Sequence, residues 1–103
     1  MDKEIIKIAQ LYAKKVTSYL PVKMVILYGS YVTGGAKKDS DIDIAVVVDK
    51  FRGDYLKTSA ELFNLVRTIN KHIEPVLLVC NHDAGGFLDR ILKNGKIIYK
   101  SAN

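Results

Sequence analysis

The sequence predicts an α/β (α+β) domain, a small mixed β-sheet flanked by helices, and three observations predict it. Amphipathic segments and short apolar runs alternate in the order α-β-α-β-α-β-α-β, the pattern of helices packed on a sheet. The apolar runs are rich in β-branched residues, as in Ile42, Ile44, Val46, Val47 and Val48. The chain has 103 residues, 49% apolar and 26% charged, room for one core, so a single domain over residues 1–103 is expected.

From Lys3 to Leu20, Ile5, Ala9, Tyr12, Val16, Tyr19 and Leu20 recur at three- and four-residue spacing, which reads as a helix stopped by Pro21. Val22 to Tyr28 is nearly continuous in apolar residues, as a buried strand would be. Gly29 to Ser40 carries three glycines and reads as a turn with a short helix. Asp41 to Val48 is the second strand. Gly53 to Lys71 reads as a helix with Leu56, Ala60, Phe63, Val66 and Ile69 on its buried face, a stripe widened by Leu62 and Leu65. Thr58 and Glu61 resemble a capping box near its start. Glu74 to Cys80 is the third strand, with Pro75 near its beginning, where a missing N–H is tolerated. Asp83 is placed to cap a helix from Ala84 to Lys93, Gly95 to form its C-terminal cap, and Lys96 to Lys100 to make the last strand.

Composition excludes several classes. No apolar run approaches the ~18–20 residues of a membrane span. A secretory leader is not expected, since Asp2 and Glu4 stand where one needs basic and apolar residues. The lone Cys80 has no disulfide partner, and with only His72 and His82 it cannot complete a Cys/His zinc site. A cytoplasmic protein is the expectation. The formal charge is +5, but the lysines are scattered and read as solvated surface, so direct nucleic-acid binding is not expected. The acids are the clustered feature: Asp39, Asp41, Asp43 and Asp49 fall within eleven residues.

Asp41 and Asp43 alternate with Ile42 and Ile44, so on a strand both carboxylates share one face, their Cα atoms about 6.5–7 Å apart. Such a pair can converge on hard cations, and Mg²⁺ is often held by one or two carboxylates together with substrate phosphates. Gly29 and Ser30 directly follow the preceding strand. The glycine admits a close backbone approach, and the serine offers a hydroxyl and, at a helix start, N–H groups aimed at an anion. The ten-residue connection from Ser30 to Asp41 is short enough to make the two strands neighbours. Phosphate would thus be gripped at one strand end and metal at the next.

Gly29-Ser30-Tyr31-Val32-Thr33-Gly34-Gly35-Ala36, followed by Ser40-Asp41-Ile42-Asp43-Ile44-Ala45-Val46, resembles the minimal nucleotidyltransferases of the polymerase-beta-like superfamily, whose signature is GS, ten residues, DxD. The tail from Phe87 to Tyr99 is similar as well. The resemblance implies the nucleotidyltransferase fold and Mg²⁺-dependent transfer of AMP from ATP to a hydroxyl, with pyrophosphate leaving. It implies two Mg²⁺ ions on Asp41 and Asp43 and a third carboxylate at Glu74, which shares the metal or accepts the proton of the attacking hydroxyl. Gly29, Ser30 and Ser40 would bind the nucleotide. One departure is clear: relatives often carry arginine where this chain has Thr33, and Lys37 or Lys38 would have to replace its charge, or else are plain surface residues.

Other residues carry less. Asp39 reads as a turn residue, Asp49 as an exposed loop acid, Cys80 as an inert buried thiol, and His72 and His82 as surface or capping residues. Tyr28 and Tyr31 flank the Gly-Ser turn and either stack on a base or pack. The resemblance further implies the antitoxin of a toxin–antitoxin pair, its partner a helical HEPN-type toxin whose tyrosine hydroxyl receives the AMP. Neutralisation by binding alone, and AMP transfer to a small molecule, stay open, as does homo-oligomerisation.

Overall fold

A computed structural model describes residues 2–81 and 84–102. Its elements are α1 (Lys3–Tyr19), β1 (Met24–Tyr28), α2 (Ser30–Thr33), β2 (Ile42–Val48), α3 (Tyr55–Val66), β3 (Ile73–Val79), a 3₁₀ turn (Ala84–Gly86), α4 (Phe87–Asn94) and β4 (Lys96–Lys100). The alternation read from the sequence holds. The strands form one mixed sheet in the order β3-β2-β1-β4, with β2 and β3 parallel and β1 antiparallel to both β2 and β4. The parallel pair is joined through α3, as a parallel connection requires.

β2 is central and buried on both faces, which is why its sequence is an apolar run after Asp43. Ile42, Ile44, Val46 and Val48 pack with Val25 and Leu27 beneath α1 and α3. Ala45 and Val47 pack on the opposite face with Met24, Ile26, Leu88 and Ile91, where α4 is the cover. α1 is capped by Asp2, whose Oδ1 accepts from the Glu4 N–H at 2.9 Å, and it buries Ile5, Ala9, Tyr12, Ala13 and Val16. Tyr12 is fully buried, and its hydroxyl donates to the Leu62 carbonyl at 2.8 Å, tying α1 to α3.

Several expectations are corrected. Tyr19 lies at the end of α1 with 46% of its surface exposed, past the last turn that touches the sheet. α3 starts later than its pattern implies and is capped by Asp54, whose Oδ1 accepts from the Lys57 N–H, so Thr58 lies inside the helix and forms no capping box. Its buried side chains are Leu62 and Val66, while Leu56 is 79% exposed and Phe63 faces solvent with Ala60. Apart from the polar face of Lys57, Glu61 and Asn64, α3 is apolar over a wide arc, and packing on α1 and β3 selected a stripe rotated from the one expected. Gly95, by contrast, is the C-cap of α4 as expected, its N–H donating to the Ile91 carbonyl at 2.7 Å from extended backbone. A Cβ there would fall 2.8 Å from Ile26 Cγ2 and 2.9 Å from the Leu27 carbonyl, so close packing is what requires glycine. The expected roles of Asp83 as a cap and of His82 fall outside the described residues. Among the described residues no helix is long and apolar enough to cross a membrane.

Candidate active site

β1 ends where β2 begins, and this end of the sheet gathers the chemistry. Register sets Tyr28 opposite Asp43 and Asp43 beside Glu74, a row across three strands. Asp41 immediately precedes β2 and is exposed, Asp43 is half-buried, and Glu74 is exposed near the start of the edge strand β3. The Ile42 N–H donates to the His72 carbonyl at 2.8 Å, which extends the parallel pairing beyond β3 and brings His72 beside Asp41.

Gly29 closes the row from the other side. Its φ of +81° lies in the region that only glycine enters freely. A Cβ at this position would coincide with Asp43 Oδ2 and approach Asp43 Cγ to 3.1 Å. The Gly-Ser backbone and the second aspartate are therefore in contact, and glycine is the only residue that permits it. α2 begins at once, with the Val32 and Thr33 N–H groups donating to the Gly29 carbonyl at 3.0 and 3.1 Å. The leading N–H groups of such a turn have no partner within it. Gly34, at φ +95°, ends the turn.

The loop residues have local tasks. Ser40 Oγ accepts from the Lys37 N–H at 2.7 Å, so its hydroxyl closes the turn that delivers Asp41. Tyr31 donates to the Lys37 carbonyl, and Thr33 Oγ1 back-bonds to the Gly29 carbonyl, both at 3.3 Å. Lys37 and Lys38 are exposed, and Asp39 sits in the turn. Asp49 is at the far end of β2, 3.9 Å from Lys23. Cys80 is half-buried in the α4-side cluster.

The electrostatics mark the row as one unit. The Asp43 carboxyl is held above the usual carboxylate range, first by burial and then by the negative charges of Asp41 and Glu74. The Tyr28 phenol is pushed up to about 12 by burial, then by Asp43 and Glu74. Among the described residues no lysine or arginine forms an ion pair with any of the three acids. Uncompensated carboxylates of this kind fit a hard divalent cation. No three His, Cys, Asp or Glu side chains among the described residues converge to enclose one.

Sequence reasoning missed one aromatic arrangement beside this row. Phe87, at the start of α4, meets Tyr28 edge-on at 5.6 Å between ring centroids and carries the Arg90 guanidinium over its face at 5.9 Å. Phe87 lies at i−3 from Arg90, a spacing that brings the two together on a helix, but the contact with Tyr28 depends on how α4 crosses the sheet.

Solved structures with the same fold put this arrangement in context. A protein from Sulfolobus solfataricus ascribed to the nucleotidyltransferases superposes with a TM-score of 0.68 at 23% identity, over 94% of this chain and 81% of its own. A toxin–antitoxin complex crystallised with AMP-PNP gives 0.66 at 23% identity, over 90% of this chain and 74% of that one. A MntA–HpeT toxin–antitoxin mutant, in which two aspartates two positions apart are changed to glutamate, gives 0.68 at 19% identity, over 91% and 74%. No curated protein matches the chain. The polymerase beta, nucleotidyltransferase family matches over residues 3–103, nearly the whole length and all of the row just described, and the chain belongs to that family.

Proposed function

We propose that this protein is a Mg²⁺-dependent adenylyltransferase that moves AMP from ATP to a tyrosine hydroxyl of a helical HEPN-type toxin, and so acts as the antitoxin of a toxin–antitoxin pair. The observation that carries the reading is the contact between the Gly29 backbone and the Asp43 carboxylate, which joins a phosphate-binding turn to an uncompensated acid pair. Family membership supports nucleotidyl transfer, and two neighbours of the same fold are toxin–antitoxin proteins, one crystallised with AMP-PNP.

In this reading Asp41 and Asp43 would hold two Mg²⁺ ions. Bound Mg²⁺ would supply neutralisation of the charge that develops on the phosphates. Gly29 and the leading N–H groups of α2, those of Ser30 and Tyr31, bind the phosphates, and the Ser30 hydroxyl adds a donor. Ser40 serves by shaping the loop before Asp41. The acceptor oxygen attacks the α-phosphorus, the bond from that phosphorus to the oxygen bridging the β-phosphate breaks, and pyrophosphate leaves with the electron pair. Glu74, exposed and next to Asp43, accepts the hydroxyl proton. Asp41 and Glu74 stand open to solvent, as an acceptor on a folded protein requires.

Incubation with ATP, Mg²⁺ and a HEPN-type protein encoded by a neighbouring gene tests the reading. The toxin should gain the mass of one AMP and lose toxicity, and Asp41→Asn or Asp43→Asn should abolish both effects. An unmodified toxin with wild-type protein would sink it. A second reading, neutralisation by binding alone, draws on Thr33, an uncharged side chain where the family resemblance often implies arginine, whose hydroxyl turns inward to the Gly29 carbonyl. It predicts that the Asp43→Asn variant still silences the toxin.

A further inference from the structure

The end of the sheet opposite the carboxylates has a different character. There β2 and β3 finish, β1 starts, and α1 and β4 terminate. A cleft of about 500 Å³ opens between the end of α1 and the loop after β2, with Tyr19 and Pro21 on one wall and Lys50, Phe51 and Arg52 on the other. Two smaller depressions adjoin it at Lys50. One, of about 380 Å³, runs past Lys23 and Tyr99; the other, of about 300 Å³, runs past Arg52 to Asn81. Together they make one groove across the end of the sheet, with Lys50 in all three parts.

Its chemistry is cationic and aromatic. Lys50 and Arg52 are exposed, and among the described residues neither has an ion pair or hydrogen bond. The acid in the groove, Asp49, already faces Lys23 at 3.9 Å. Phe51 is half-buried and held edge-on to Tyr55 at 6.0 Å, and Tyr55 is in turn anchored through its hydroxyl to the Leu77 carbonyl of β3. The Phe51 ring is thus fixed before any ligand arrives, which removes an ordering cost of binding. Tyr19, nearly half exposed, faces it across the cleft. The fold brings Lys23, Lys50 and Arg52 together here, while Asp41, Asp43 and Glu74 stand at the other end of the sheet.

We infer that this groove binds single-stranded nucleic acid, with phosphates on Lys50 and Arg52 and an unpaired base against Phe51 and Tyr19. A fixed aromatic ring beside unpaired cations in an open groove is the physical recipe for such binding, since stacking accepts any base and the cations follow the backbone. The cleft volume lies within the range of small-ligand sites and suits one nucleotide unit at a time. The assignment is independent of the proposed AMP transfer and uses none of its residues.

The test is fluorescence anisotropy with a labelled eight-nucleotide RNA and the full chain in EDTA, with Asp43→Asn run in parallel. We expect binding that weakens with salt, with a log–log slope of about −1.4 for two neutralised phosphates on a single strand. Lys50→Gln with Arg52→Gln should lower affinity at least tenfold and flatten the slope; Phe51→Ala should lower affinity about tenfold with the slope unchanged. Asp43→Asn should bind as the wild type does. Lys7→Gln with Lys14→Gln, an equal loss of charge on the exposed face of α1, should change little. Equal losses from both charge pairs would reduce the binding to general electrostatics and overturn the assignment. So would an RNA duplex binding as tightly as the strand, AMP alone matching the strand in affinity, or no binding at 100 mM salt and 100 µM protein.

Discussion

Gly29 shows how much of the site rests on one missing methyl group. Gly29→Ala would force its Cβ into the Asp43 carboxylate and hold a side chain at φ +81° and ψ −153°, a conformation almost confined to glycine that alone costs about 1–3 kcal/mol. We expect AMP transfer to fall at least 10²-fold, the scale of a displacement of about 1 Å at a reacting centre, together with a lower melting temperature. Gly34→Ala should show the strain without the loss of chemistry, since its φ is +95° but nothing lies near its Cβ, and Gly35→Ala should be close to neutral. Asp43 makes the complementary case. Its folded pKa stands above its unfolded one, so ionisation favours the unfolded chain. The stabilising contribution is full below the unfolded value of about 3.9 and is lost as pH rises through the folded value. Asp43→Asn should therefore melt higher than wild type at pH 7 without Mg²⁺, and the difference should vanish by pH 3. A lower melting temperature at pH 7 would show that the acid is compensated by something within the fold. Of these residues the spacing of Gly29, Asp41 and Asp43 is legible in sequence, because strand alternation and a short connection leave them few places to go. The contact that makes Gly29 obligatory is not, because it depends on the sheet register.

Helix α3 is where sequence pattern and structure part. Leu56, Ala60 and Phe63 share three- and four-residue spacing and imitate a buried face, yet Leu62 and Val66 are the side chains that reach the core. A helix with apolar residues over a wide arc has more than one stripe with the right period, and only the neighbouring elements choose among them. The strands were easier to read, because β2 is covered on both faces and only an uninterrupted apolar run suits that position. Paired substitutions measure the difference. Leu62→Ala should destabilise by about 2–5 kcal/mol, as a buried leucine truncated beside α1 does, whereas Leu56→Ala, almost wholly in solvent, should stay within about 0.5 kcal/mol. Urea unfolding reads both. Equal costs would mean that α3 is rotated from the packing described, and the anchoring of Tyr12 on the Leu62 carbonyl would have to be revised with it.

On the scale of the whole molecule, two charge clusters stand at opposite ends of a single sheet: Asp41, Asp43 and Glu74 at one, and Lys23, Lys50 and Arg52, with Asp49 on Lys23, at the other. Neither end could be read from composition, which shows only a net charge of +5, because each is assembled from the tips of several elements far apart in the chain. A fold that keeps three acids together without a counter-cation carries a repulsion that a bound cation would relieve. Mg²⁺ with a non-hydrolysable ATP analogue should therefore raise the melting temperature more than either component alone, because the acids and the Gly29 turn are completed only by metal and phosphate together. At a hundredfold excess over the dissociation constant the stabilisation is about 2.7 kcal/mol, which for a domain of this size is a shift of roughly 10–20 °C. In Asp41→Asn the joint effect should collapse to that of the analogue alone. Substitutions at Lys50 and Arg52 should leave it intact, since they stand at the far end of β2. A joint shift that survives Asp41→Asn but disappears with Lys50→Gln would move the nucleotide site to the basic groove and strip the carboxylate row of the role assigned to it.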